Sequence, residues 1–134
     1  MTSTDTEAPI RIVIADDHLL YRTGVKMTLS IRDDVKVIAE ADDGMHLLNV
    51  LKMTEVDVIL LDIQMPIMDG VGALTEIKKN WPNVKIIILT MINDQGMMTK
   101  LMELGANCYL SKTSDSEVIY EAIKTCHKEK YNFT

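Results

Sequence analysis

Five polar side chains stand at or just past the ends of apolar runs: Asp16 and Asp17, Asp62, Thr90 and Lys112. Asp62 closes the run Val58-Ile59-Leu60-Leu61, and Pro66 and Gly70 then break the chain into a loop. Gathered in one crevice, three carboxylates repel one another and raise at least one pKa unless a cation intervenes. Oxygen ligands suit a hard cation, and a small site with room for water and phosphate oxygens suits Mg2+ better than Ca2+. A hydroxyl at Thr90 and an ammonium at Lys112 are odd company for a pure metal site. They fit a visiting tetrahedral anion, which one would hydrogen-bond and the other neutralise. Asp62 is then the attachment point, since a carboxylate can attack phosphorus and form an acyl phosphate. For such a transfer the protein mainly positions groups and stabilises charge.

The elements that must bring these groups together are legible as hydropathy patterns. Ile10 to Ala15 and Asp57 to Asp62 read as strands buried on both faces. Val35 to Ala41 alternates like an edge strand, with Lys36 and Glu40 outward. Val84 to Leu89 is another buried strand, and Asn107 to Leu110 a short last one. Between them, apolar residues recur at helical spacing. Leu20, Gly24, Met27 and Ile31 mark the apolar face of the first helix, and Leu47, Leu48 and Leu51 that of the second. Gly70, Leu74, Ile77 and Trp81 mark the third, stopped before Pro82. Met97, Leu101 and Leu104 mark the fourth, with Gly105 as its C-cap, and Ile119, Ala122, Ile123 and Cys126 the fifth. Strand and helix alternate five times, which predicts an α/β fold with a five-stranded, doubly wound parallel sheet. In the flavodoxin-like order 2-1-3-4-5 the first and third strands are neighbours at the switch point, so their terminal carboxylates converge.

Composition narrows the function. The chain has 134 residues, 47% hydrophobic and 25% charged, which suits one globular domain. A net charge of −6 would repel a phosphate backbone, so this domain is not expected to bind nucleic acid itself. No run approaches a transmembrane length and no apolar signal core opens the chain, so cytoplasm is the expected compartment. Residues 1–9 read as a disordered tail, 10–130 as the domain and 131–134 as the start of a linker or tail. Cys108 and Cys126 read as two buried thiols.

Taken together, Asp16-Asp17, Asp62 with Pro66 and Gly70 after it, Thr90 and Lys112 resemble the receiver domain of a two-component response regulator. The resemblance spans Ile10 to about Lys128. It implies that Asp62 is the phosphoacceptor, supplied by a histidine kinase, and that the domain is no turnover enzyme beyond phosphoryl acceptance and self-dephosphorylation. It implies Mg2+ held by Asp16, Asp17, Asp62 and the backbone carbonyl of Gln64. Thr90 is implied as the switch hydroxyl and Tyr109 as the switch aromatic. Asp16-Asp17-His18 and the ending Lys130-Tyr131-Asn132-Phe133 resemble NarL/LuxR-type regulators, in which a helix-turn-helix DNA-binding domain follows. On that likeness the chain is the receiver part of a transcription regulator. The alternative is a stand-alone receiver in a phosphorelay or in protein–protein interaction. Homodimerisation through the face of the fourth helix, fifth strand and fifth helix would also follow the family.

Two positions depart from the commonest pattern. Thr113, not proline, follows Lys112, which makes a cis peptide there unfavourable by about 3–4 kcal/mol. Ile92, two residues past Thr90, cannot help orient a hydrolytic water, so slow self-dephosphorylation is expected. Other residues have plainer readings. Asp69 before Gly70 reads as a helix cap. His18, next to the acidic pair, could ligate a metal, but Mg2+ prefers oxygen, so it reads first as a surface residue at a helix start. Met91, Met97, Met98 and Met102 read first as gap-filling core and second as an adaptable partner surface. A haloacid-dehalogenase-type phosphohydrolase would need a second Asp two residues after the nucleophile, where Gln64 stands. A flavin carrier shares the strand order but has no use for three clustered carboxylates, and a pseudo-receiver would not need the full acidic set.

Overall fold

β-Branched runs become strands and amphipathic segments become helices in strict alternation. The structure is a computed structural model that describes residues 8–129. Most of the tail expected over 1–9, and the linker start expected at 131–134, lie outside the described residues. In chain order the elements are β1 (Ile10–Ala15), α1 (Leu19–Leu29), β2 (Val35–Ala41), α2 (Gly44–Met53) and β3 (Val58–Leu61). Then come α3 (Gly70–Asn80), β4 (Lys85–Thr90), α4 (Gln95–Glu103), β5 (Cys108–Ser111) and α5 (Ser116–Lys128). β4 and β5 each end one residue later than the apolar pattern alone suggests, so Thr90 and Ser111 belong to the ladder. The strands pair in parallel in the order β2-β1-β3-β4-β5, the doubly wound arrangement expected. Among the described residues no helix is long and apolar enough to cross a membrane.

Successive strand side chains point to opposite faces, so each strand feeds two cores. Val13, Ala15, Ile59, Leu61, Ile86 and Ile88 face α2, α3 and α4, where they meet Leu47, Leu74, Ile77 and Leu101. Ile12, Ile14, Val58, Leu60, Ile87 and Leu89 face α1 and α5, where they meet Val25, Leu29, Ile119 and Ile123. Each Val, Leu or Ile among them stabilises the fold by about 1.5–3 kcal/mol on burial. At the end of the sheet remote from Asp62, Arg11 clamps β1 to the entrance of β3. Its Nε and Nη2 donate to the two Asp57 carboxylate oxygens, each at 3.0 Å.

The first helix corrects the sequence reading. Leu20, Met27 and Ile31 are 86%, 64% and 79% exposed, and Gly24 is exposed too. The adjacent stripe Tyr21, Val25 and Leu29 packs on the sheet instead. Both stripes are apolar and helically spaced, so periodicity alone could not choose between them. Rotation is set by polar contacts: Arg22 reaches the backbone carbonyl of Asp16 and, at 2.9 Å, a carboxylate oxygen of Glu40 on β2. The methionines divide as well. Met91 and Met102 are exposed, whereas Met97 packs partly buried against the core. Of the two thiols only Cys126 is fully buried; Cys108 is half-buried, and both are free.

Close backbone approach requires glycine at two sites flanking β3. The Gly70 N–H donates to the Ile63 carbonyl at 2.8 Å, and a Cβ there would lie 2.5 Å from the Asp62 carbonyl oxygen. The Gly44 N–H likewise donates to the Met68 carbonyl at 2.9 Å, with no room for a side chain. These contacts hold the loop after Asp62 against both α2 and β3. Gly70→Ala is therefore expected to lower unfolding free energy by about 1–3 kcal/mol in urea titrations. Gly24→Ala, whose Cβ meets nothing within 4 Å, should instead raise it by about 0.5–1 kcal/mol through helix propensity.

Candidate functional site

Parallel strands end together, and the groups at or just past the ends of β1, β3, β4 and β5 share one end of the sheet. Asp62 extends the ladder by donating its N–H to the Ala15 carbonyl at 2.9 Å, and Asp16 does the same to Ala41 at 2.9 Å. The Lys112 N–H bonds the Thr90 carbonyl at 3.0 Å. Asp16 and Asp62 are each 2% exposed and Thr90 is fully buried. Lys112 inserts its ammonium between the two acids, 2.6 Å from Asp16 Oδ2 and 3.1 Å from Asp62 Oδ2. Its Nζ also lies 4.8 Å from the centre of the Tyr21 ring, a cation–π distance.

The Asp62 carboxyl is pushed above the ordinary carboxylate range. Burial is the main cause, opposed by the Lys112 hydrogen bond and reinforced by the charge of Asp16, with the Gln64 N–H giving slight relief at 3.3 Å. The Tyr21 phenol is pushed up to about 12 by burial and then by Asp16 and Asp62. Asp17 stands at the rim, facing an open cleft lined also by His18, Gln64, Met65, Pro66 and Asp69. Asp16, Asp17, His18 and Asp62 offer ligand atoms that all lie within 4.8 Å of one another. Three carboxylates so placed fit a hard divalent cation, and one ammonium does not balance them.

Thr90 and Tyr109 meet at the backbone of a single residue, Ile92. The Thr90 hydroxyl accepts from the Ile92 N–H at 3.1 Å, while the Tyr109 hydroxyl donates to the Ile92 carbonyl at 2.8 Å. The peptide after Lys112 is trans. Asp69 caps α3 by accepting from the Gly72 N–H at 3.0 Å, as its position before Gly70 suggests.

Sequence reasoning set one contributor, His18, aside and passed over two others, Tyr21 and Arg22. His18 is the N-cap residue of α1 and its ring is exposed, but Nδ1 turns inward, 3.0 Å from Asp16 Oδ1. Tyr21 floors Lys112, and Arg22 holds the Asp16 carbonyl. The only signal for the last two is their place one turn after the acidic pair. The loop also contains Ile67 at φ 69° and 81% exposed, an unfavourable backbone for a β-branched residue. Around it the Met68 N–H reaches back to the Pro66 carbonyl at 2.7 Å, a three-residue turn.

Comparison with known proteins agrees with this fold. Residues 12–124 match the family model described as the response regulator receiver domain. The chain is 36% identical over 124 residues to the transcriptional regulatory protein DegU of Brevibacillus brevis, covering 92% of this chain and 52% of that protein. It is 38% identical over 116 residues to the nitrate/nitrite response regulator protein NarP of Escherichia coli, covering 87% and 54%. The chain thus spans about half the length of these curated relatives. Among solved structures, the signal receiver domain of NarL from Mycobacterium tuberculosis superposes with a TM-score of 0.87 at 32% identity. That match covers 91% of this chain and 98% of the other.

Two outcomes follow from the site's geometry. Ile67→Gly relieves the positive φ and should stabilise the fold by about 1 kcal/mol in denaturant titrations. In EDTA, Asp62→Asn should be more stable than wild type at pH 7. Because the folded-state pKa of Asp62 is raised, its contribution is present below the unfolded value of about 3.9 and is lost as pH rises through the folded value. Thermal melts should therefore show the gap between variant and wild type closing as pH falls toward 4.

Proposed function

Because this chain belongs to the response regulator receiver domain family, we propose that it receives a phosphoryl group on Asp62 from a histidine kinase. The observation that carries the reading is the Lys112 ammonium bonded to both Asp16 and Asp62 in a buried pocket. In the transfer the P–N bond of a phosphohistidine breaks and a bond forms from an Asp62 oxygen to phosphorus. The kinase imidazole leaves, and the product is an acyl phosphate. Lys112 neutralises charge developing on the phosphoryl oxygens, and burial keeps competing water away. Asp16, Asp17 and Asp62, with the Gln64 carbonyl, are the residues that would hold Mg2+, which when bound offsets the charge of the acids and of the phosphoryl group. Thr90, Lys112 and Asp62 make a one-turnover acceptor, not a site for repeated hydrolysis of a small substrate.

Signalling would proceed by population shift. A phosphoryl group adds nearly two negative charges and three acceptor oxygens at Asp62. A Thr90 hydroxyl that turns to meet them releases the Ile92 N–H, while the Tyr109 hydroxyl holds the carbonyl of the same residue, in the next peptide group. The disturbance reaches the surface formed by α4, β5 and α5, where Met102 is exposed and Met91 lies exposed just before α4. This is the face proposed for a dimer mate or an output domain. The match spans only about half of DegU and of NarP, both of which bear regulatory names, which supports a cytoplasmic transcription regulator whose DNA contacts lie outside residues 10–130.

With acetyl phosphate or phosphoramidate and Mg2+, wild type should gain one phosphoryl group, labile to hydroxylamine, and Asp62→Asn should gain none. Labelling of that variant would remove Asp62 from its role. Ile92 offers no polar group to a hydrolytic water, so the acyl phosphate should decay slowly. Ile92→Glu should shorten its half-life roughly tenfold, less than the roughly 10²–10⁴-fold of a fully positioned acid–base group, in a chase after the labelled donor is removed.

A further inference from the structure

We propose that the His18 imidazole is itself a cation ligand, biasing the acidic pocket toward nitrogen-accepting first-row divalent cations such as Co2+ over Mg2+. This rests on the reading of Asp16, Asp17 and Asp62 as cation ligands. Three distances carry it. His18 Nδ1 lies 3.0 Å from Asp16 Oδ1, 3.3 Å from Asp17 Oδ1 and 4.0 Å from Asp62 Oδ2. Adjacent ligands of an octahedral cation with bonds near 2.1 Å are about 3.0 Å apart, and opposite ligands about 4.2 Å. The nitrogen therefore stands at two edges and one diagonal of such a ligand set.

The surroundings of the ring fit the same placement. A ligating Nδ1 requires the ring proton on Nε2, and Nδ1 faces oxygens of Asp16 and Asp17, the atoms with which it would share a cation. The backbone keeps the ring there, since the His18 N–H donates to Asp16 Oδ1 at 2.8 Å. Imidazole nitrogen suits later first-row metals, whereas carboxylate, carbonyl and water suit Mg2+. A site with both kinds of donor shifts toward the former.

The test uses the whole chain with metal alone. Pulsed EPR of the Mn2+-loaded protein should show modulation from a directly bound nitrogen, absent in His18→Ala. By calorimetry, His18→Ala should weaken Co2+ binding at least tenfold and Mg2+ binding less than threefold. Asp16→Asn should weaken both. His18 is a surface residue, 61% exposed in its side chain, so its replacement leaves the core intact, and circular dichroism checks this. No nitrogen modulation, or equal losses for the two metals, overturns the imidazole ligand while leaving the carboxylate site standing. Failure of the wild type to bind either cation overturns both readings.

Discussion

Two almost fully buried carboxylates share one ammonium, and the architecture around them follows from that arrangement. Burying a charge is costly unless it is paired and hydrogen-bonded. Lys112 answers both acids with one group, leaving the pocket net negative even before Asp17 is counted. Asp62 bears the consequence as a raised pKa, with burial outweighing the lysine. The site is thus held in a state that any added positive charge improves. That same imbalance makes a stable fold compatible with a reactive acceptor.

The rest of the structure keeps this pocket from relaxing. A sheet with no antiparallel strand ends all its chains on one side, and the carboxylates are fixed by ladder bonds to Ala15 and Ala41 rather than by flexible loops. Arg11 locks the opposite end of β1 and β3. Tyr21 lies against the lysine from below, and Arg22 ties the first acid to β2 through Glu40. After Asp62 the chain is pinned where glycine alone allows contact. Rigidity on the strand side and strain at Ile67 on the loop side therefore sit only a few residues apart.

Much of this was readable before any coordinates. Alternating periodicities identified ten elements, and acids closing two of the buried strands located the pocket, because hydrophobic runs leave little freedom about where a strand stops. Rotation of α1 was not readable: Leu20, Met27 and Ile31 are as apolar as Tyr21, Val25 and Leu29, and the arbitration came from an arginine contacting a distant strand. His18 was weighed as a ligand and set aside for a related reason. In sequence it reads first as a surface residue at a helix start, and only the extended backbone of the N-cap turns one nitrogen inward. Ile67 was equally silent, since a γ-type turn around a β-branched residue contradicts local preference and exists only because the surrounding contacts impose it.

Ile92, gripped at its N–H by the Thr90 hydroxyl and at its carbonyl by the Tyr109 hydroxyl, carries a consequence in the reverse direction. Linkage between two sites is reciprocal in free energy. On the proposed reading, a protein that docks near α4 and draws the Tyr109 hydroxyl off the Ile92 carbonyl also changes what the Thr90 hydroxyl must give up to meet a phosphoryl group. Occupancy of the output face would then set how readily Asp62 is charged. The downstream partner would act as a co-determinant of the input, and the domain would report a coincidence of kinase and partner rather than the kinase alone.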